Sequence, residues 1–149
     1  AAIVVIGETP YAEGMGDIRT GEDVIVQTGS QINGLLKVLE PYGNTMLLAD
    51  LHPEDLQTIT NITDRGVPVV TVLISGRPLV ANQELEASSA FVAAWLPGSE
   101  GQGIADVLFG DFGLSGKLSF SWPRSADKTM DVGSADYEPL FPRGFGLTY

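Results

Sequence analysis

The 149-residue sequence contains no cysteine, a single histidine and only eight lysines and arginines. Without cysteine there is no disulfide and no thiol nucleophile, an absence compatible with a reducing cytoplasm and with a cysteine-poor exported protein. With one histidine, any histidine-based metal site or Ser-His-Asp triad would have to use His52. Its setting, just before Pro53 at the start of a helix, predicts instead a capping or exposed side chain. Nineteen Asp and Glu leave a formal charge of −11. A surface of that sign repels phosphate-rich partners, so nucleic acid is excluded as a ligand class and a neutral ligand is expected. Long hydrophobic runs are missing as well. The longest lie within residues 67–74 and 90–96, far short of the roughly 20 residues a membrane-spanning helix needs. The first residues, Ala-Ala-Ile-Val-Val-Ile, carry neither an initiator Met nor a basic leader. They read as a strand entered mid-chain, with upstream sequence removed.

What is present is the balance of a folded protein, with 44% hydrophobic and 18% charged residues and enough length for one α/β domain. Residues 2–6 form a β-branched run ending at Gly7, the pattern of a strand buried on both faces of a parallel sheet. Ile32, Leu35, Leu36 and Leu39 follow helical spacing, with Ser30 as cap and Pro41 as stop. Residues 45–49 read as a short strand. His52-Pro53-Glu54-Asp55 then opens a helix carrying Leu56, Ile59 and Ile62, closed by Gly66. Residues 67–74 are the strongest strand pattern, predicted central in the sheet. Residues 90–96 form a further strand, and Ile104, Val107 and Leu108 repeat helically until Gly110. Residues 117–122 alternate Leu118, Phe120 and Trp122 with Ser119 and Ser121, as an edge or antiparallel strand does. Residues 123–149 make an irregular aromatic tail anchored by Phe141, Phe145 and Tyr149.

This order predicts an α/β fold over residues 1–149 as a single domain. Its centre is a mostly parallel, doubly wound sheet with helices on both faces, an αβα sandwich with one antiparallel edge strand, truncated at the N-terminus. Ligands in such sheets gather beyond the carboxyl ends of the strands. Three loops therefore matter: residues 8–17, 75–79 and 97–103. The third, Pro97-Gly98-Ser99-Glu100-Gly101-Gln102-Gly103, sets one carboxylate among three glycines directly after a buried strand. By spacing alone it is equally a helix start, with Ser99 as cap and Glu100 favourable to the dipole. A phosphate cradle fits poorly, since the G-x-G-x-x-G order and the Gly-Lys-Ser/Thr ending are absent and Glu100 would oppose the phosphate charge. Arg77, after the strongest strand, is expected to pair with a buried carboxylate and brace the site. Trp95 and Trp122 read as core residues rather than sugar platforms. The sequon Asn61-Ile62-Thr63 falls inside a predicted helix and reads as chance.

Residues 90–111, AFVAAWLPGSEGQGIADVLFGD, resemble the signature of the C-terminal α/β sandwich domain of family 3 glycoside hydrolases. AIVVIGETPYAEGMGD at residues 2–17, VPVVTVLISGRPL at 67–79, GKLSFSWPRS at 116–125 and YEPLFPRGFGLTY at 137–149 resemble that family in its own order. The resemblance implies part of a retaining, exo-acting β-glucosidase or β-glucan glucohydrolase. On that resemblance a TIM-barrel domain of the same enzyme would supply the Asp nucleophile and this sandwich the acid/base glutamate, which the match places at Glu100. One carboxylate attacks the anomeric carbon while the other protonates the leaving oxygen and later deprotonates water. A general acid of this kind must hold its proton near neutral pH.

The resemblance further implies a β-glucoside or β-glucan oligosaccharide as ligand, no cofactor, no metal and no membrane, with a secreted or periplasmic location. Glu13, Met15 and Asp17, in the loop after the first strand with Glu8 and Tyr11, are its substrate-binding candidates. Some family members carry an aromatic near the position of Met15, where this chain offers a soft apolar contact instead. A solvated acidic loop is the other reading of those residues, and a hard-cation site a further one. No Ser-Asp-Trp nucleophile motif occurs, and residues 18–51 follow no pattern of the family, so the chain by itself is expected to be inactive. A non-catalytic module that binds carbohydrate or a partner protein is the alternative.

Overall fold

The computed structural model describes residues 1–8, 31–32, 35–36, 45–127 and 131–148. In chain order the elements are strand β1 (Ala2–Gly7), the two-residue strands β2 (Gln31–Ile32) and β3 (Leu35–Leu36), helices α1 (Leu48–Leu51) and α2 (Pro53–Thr63), strand β4 (Val69–Ile74), helix α3 (Asn82–Ala87), strand β5 (Ala90–Trp95) and helix α4 (Gly101–Phe109). The sheet order is β1-β4-β5 and both pairings are parallel. Every loop that follows one of these strands therefore leaves the same edge.

Helices lie on both faces. On one, Val4 and Ile6 of β1 and Val69 and Leu73 of β4 pack with Leu48 of α1, Ile59 of α2 and the buried Leu79, Ala81 and Trp122. On the other, Val92 and Ala94 of β5 and Ile104 and Val107 of α4 line an apolar groove of about 320 Å³, flanked by Phe112 and Leu114. Pro53 at the first turn, Glu54 and Asp55 behind it, and Gly66 with φ +75° past its end bound α2 as the sequence predicts. Likewise α4 stops at Gly110, whose φ of +83° is the left-handed helix end that glycine adopts without strain.

Five expectations are corrected. β1 is buried on one face only: Val4 and Ile6 are 8% and 4% exposed, while Val5 between them is 64% exposed. It stands at the edge of the three strands, with α2 against a single face. The helix expected around Ile32–Leu36 is replaced, at the residues described, by the antiparallel β2–β3 pair, Gln31 opposite Leu36 and Ile32 opposite Leu35. The apolar spacing of Ile32, Leu35 and Leu36 suits either periodicity over so short a run.

The strand expected over residues 45–49 is reduced to one parallel bridge, Leu47 to Val80, before the chain turns into α1. The strand expected over residues 117–122 does not form, because the alternation breaks. Ser121 is buried, its Oγ 2.6 Å from the Tyr137 hydroxyl, whereas Phe120 is 42% exposed. Pairing with the tail survives at two points: Leu118 N–H donates to Phe145 O at 2.8 Å, and Trp122 N–H to Phe141 O at 2.8 Å. Finally α3, six residues long, lies where the sequence pattern predicts no element.

Candidate active-site rim

The carboxyl ends of β1, β4 and β5 are laced together by hydrogen bonds. Gly7 sits so close to β4 that a Cβ there would meet Ile74 O at 2.6 Å, so only glycine lets β1 end beside its neighbour. The next residue, Glu8, donates its N–H to Ile74 O at 3.2 Å and turns its carboxylate inward. Arg77, in the loop after β4, donates to Glu8 Oε1 from Nη2 at 2.6 Å and from Nε at 3.0 Å. The Ser75 hydroxyl lies 2.7 Å from Glu8 Oε2 and 2.7 Å from Arg77 O, and with one proton to give it favours the charged acceptor. Glu8 and Arg77 side chains are 5% and 16% exposed. Breaking a buried pair of this kind by removing one partner costs about 3–5 kcal/mol, because the other charge stays buried. The brace expected of Arg77 thus exists, and its partner is Glu8.

The third loop begins with an irregularity. β4 and β5 run in register until Leu73 opposite Ala93, after which Ile74 pairs with Trp95, leaving Ala94 as the extra residue of a bulge. Trp95 has φ +56°, left-handed backbone that costs a non-glycine residue about 1–3 kcal/mol. Its carbonyl accepts from Ser75 N–H at 3.2 Å. Its ring packs edge-on against Phe120, centroids 5.3 Å apart, and at 5.8 Å from Trp122. Beyond it, Gly98 also adopts positive φ, +56°, and Glu100 N–H donates to Pro97 O at 2.9 Å, closing a turn.

Glu100 itself occupies the N-cap position of α4 and makes no side-chain capping bond; Ser99, expected as the cap, instead donates its hydroxyl to Glu100 Oε1 at 3.1 Å. The carboxyl is exposed, beside the groove between β5 and α4. Gly101 and Gly103 are helical, and a Cβ on either would meet nothing within 4 Å. Only Gly98 is needed for the turn; the other two leave the ground around Glu100 bare.

Residues 1–149 match the family model of the glycosyl hydrolase family 3 C-terminal domain. The chain belongs to that family. It is 33% identical over 150 residues to the periplasmic β-glucosidase of Salmonella typhimurium, covering 85% of this chain and 19% of that protein. The crystal structure of an exo-1,3/1,4-β-glucanase from a Pseudoalteromonas species matches with TM-score 0.69 and 42% identity, over 98% of this chain and 16% of that one. A β-glucosidase from Listeria innocua, in complex with gluconolactone, matches with TM-score 0.58 and 28% identity, over 72% of this chain and 19% of that one. The family 3 domain thus spans less than a fifth of each of these relatives.

Of the other sequence candidates in this family 3 domain, Glu13, Met15 and Asp17, with Tyr11, lie outside the described residues, as does Tyr149. His52 neither caps nor stands exposed. It holds the N-cap position of α2 without a side-chain capping bond, its side chain is 17% exposed, and its Nδ1 lies 3.7 Å from Glu54 Oε1. Trp122 is buried in the core, Phe141 and Phe145 stack at 4.4 Å, and Asn61 lies on α2. No group of three or more His, Cys, Asp or Glu is placed to hold a metal among the described residues.

The burial of two acids escaped the sequence reading. Glu84 on α3 is fully buried and neither carboxylate oxygen has a hydrogen-bond partner. Burial pushes its pKa up, its own backbone N–H offsets this only in part, and neighbouring Asp55 raises it further. Burial also pushes Asp55 up, opposed by His52 and by the Gly7 N–H. Glu84 sits in a polar run, Asn-Gln-Glu-Leu-Glu-Ala, in which no sequence signal distinguishes it from exposed Glu86.

Proposed function

We propose that this domain supplies the acid/base carboxylate, Glu100, of a retaining exo-acting β-glucosidase or β-glucan glucohydrolase. A TIM-barrel domain of the same enzyme supplies the Asp nucleophile and covers the rim. The observation that carries the reading is the place of Glu100: an exposed carboxylate without a capping bond, on the rim where the loops after β1, β4 and β5 emerge, in the segment that carries the family resemblance. Relatives that are β-glucosidases and a β-glucanase, and a neighbour that holds gluconolactone, support a β-glucoside or β-glucan oligosaccharide as substrate. The periplasmic relative supports a periplasmic or secreted location, and no helix among the described residues is long and apolar enough to cross a membrane.

In this reading Glu100 protonates the departing glycosidic oxygen and then takes the proton of the water that releases the glycosyl-enzyme. Its test uses a nucleophile that needs no base. In the complete enzyme, Glu100→Ala should stall at the glycosyl-enzyme on activated substrates, and azide should restore turnover by forming a β-glucosyl azide. Absence of azide rescue in a folded variant contradicts the assignment.

A further inference from the structure

We propose that Trp95 is a positioning residue for Glu100: its left-handed backbone, held between the Ser75 N–H and the rings of Phe120 and Trp122, aims the acid/base loop. The inference rests on the reading of Glu100 given above.

Three observations converge on the residue. The bulge at Ala94 adds one residue to β5 just before the loop, and a one-residue shift turns all that follows to the opposite side of the sheet. Trp95 then carries φ +56°, the one positive value among the described non-glycine residues, at the stem of the loop that holds Glu100. A glycine would accept that backbone freely, and an aromatic residue does so only when its surroundings overdetermine it.

Those surroundings are visible. Trp95 O is tied to Ser75 N–H, and the Ser75 hydroxyl in turn touches the buried Glu8–Arg77 pair, so the bend is anchored to the rim of β1 and β4. On its other side the indole is wedged against Phe120 and Trp122, and Trp122 is fixed by paired hydrogen bonds with Phe141 and Leu140 of the tail. From Trp95 to Glu100 the chain is only a short turn through Pro97 and Gly98, so a change of backbone at Trp95 is carried into the carboxylate with little to absorb it. Proper aim of a proton donor is what a poor leaving group requires. An activated aryl leaving group departs without protonation and is insensitive to it.

The experiment compares kcat/KM for an alkyl or oligosaccharide β-glucoside with that for a dinitrophenyl β-glucoside in the complete enzyme. The variants are Trp95→Ala, Trp95→Phe, Phe120→Leu and Glu100→Gln. Val69→Ala serves as a core-cavity control at the amino end of the central strand β4. Trp95→Ala should lose on the order of 10²-fold on the poor leaving group and little on the activated one. Trp95→Phe should recover much of that loss, and Phe120→Leu, on the more exposed side of the wedge, should show a smaller loss of the same kind even if Trp95→Ala fails to fold. Val69→Ala should lower stability without changing the ratio.

Equal losses on both substrates for the Trp95 and Phe120 variants, or the same ratio change in Val69→Ala, overturns the inference. If Glu100→Gln discriminates between the substrates and the Trp95 and Phe120 variants do not, the positioning role fails alone. If Glu100→Gln does not discriminate, the acid/base reading fails first.

Discussion

Glu8 and Glu84 are both buried carboxylates, one of them clasped by Arg77 and Ser75, the other without a partner. The burial of Glu84 sets a pH response. A carboxyl whose pKa is raised in the folded protein binds its proton more tightly there than in the unfolded chain. Its favourable contribution is therefore complete below the ordinary value, 4.5 for Glu84, and is lost as pH rises through the folded value. Asp55 acts in the same direction. Glu84→Gln should accordingly raise stability near neutral pH by on the order of 1–3 kcal/mol. It should also flatten the decline in stability with rising pH, read by denaturant unfolding from about pH 4 to about pH 8. A variant less stable than the parent at neutral pH contradicts the account. Little of this is legible in the sequence. Arg77 announces a need for a buried carboxylate, but burial of Glu8 and Glu84 depends on which helix and which loop close over them. The left-handed Trp95 runs against everything an aromatic residue prefers locally.

At the scale of elements, the legible parts are those whose local signals agree. β4 and β5 are apolar runs bounded by glycine or proline, while α2 and α4 have a start signal, a periodic face and a glycine stop. The Lys117–Trp122 alternation misleads because Ser121 finds a buried hydroxyl partner in Tyr137 and Phe120 turns out toward Trp95. α3 is too short to display a period. The loop after β5 is legible as a loop, but not which glycine it needs. Gly98 has positive φ and open space around it, so Gly98→Ala should cost about 1–2 kcal/mol, purely conformational. Gly103 is helical with equally open space, so Gly103→Ala should instead gain up to about 1 kcal/mol. Chemical denaturation of the two variants checks the ordering, and a reversed order contradicts the described backbone.

At the scale of the whole molecule, a shared strand direction, which the alternation of strands and helices along the chain already implies, sets Glu100 and Glu8 on one rim, and the parallel pairings put both there. A sheet with an uncovered edge and face is expected to expose apolar surface, and Val5 on the sheet face, with Leu96 and Phe109 on either side of the Glu100 segment, are each more than half exposed. A domain that spans 16–19% of these relatives and, in the proposed mechanism, holds one of two required carboxylates should show no turnover of β-glucosides in a preparation containing these 149 residues alone. Sustained turnover there would sink the two-domain mechanism. The most direct test of the central claim remains the leaving-group dependence of Glu100→Gln in the complete enzyme. The account predicts a loss on the order of 10²–10⁴-fold for substrates whose leaving group must be protonated, with far less for activated aryl glycosides. An equal loss on both would show that Glu100 does not act as the proton donor.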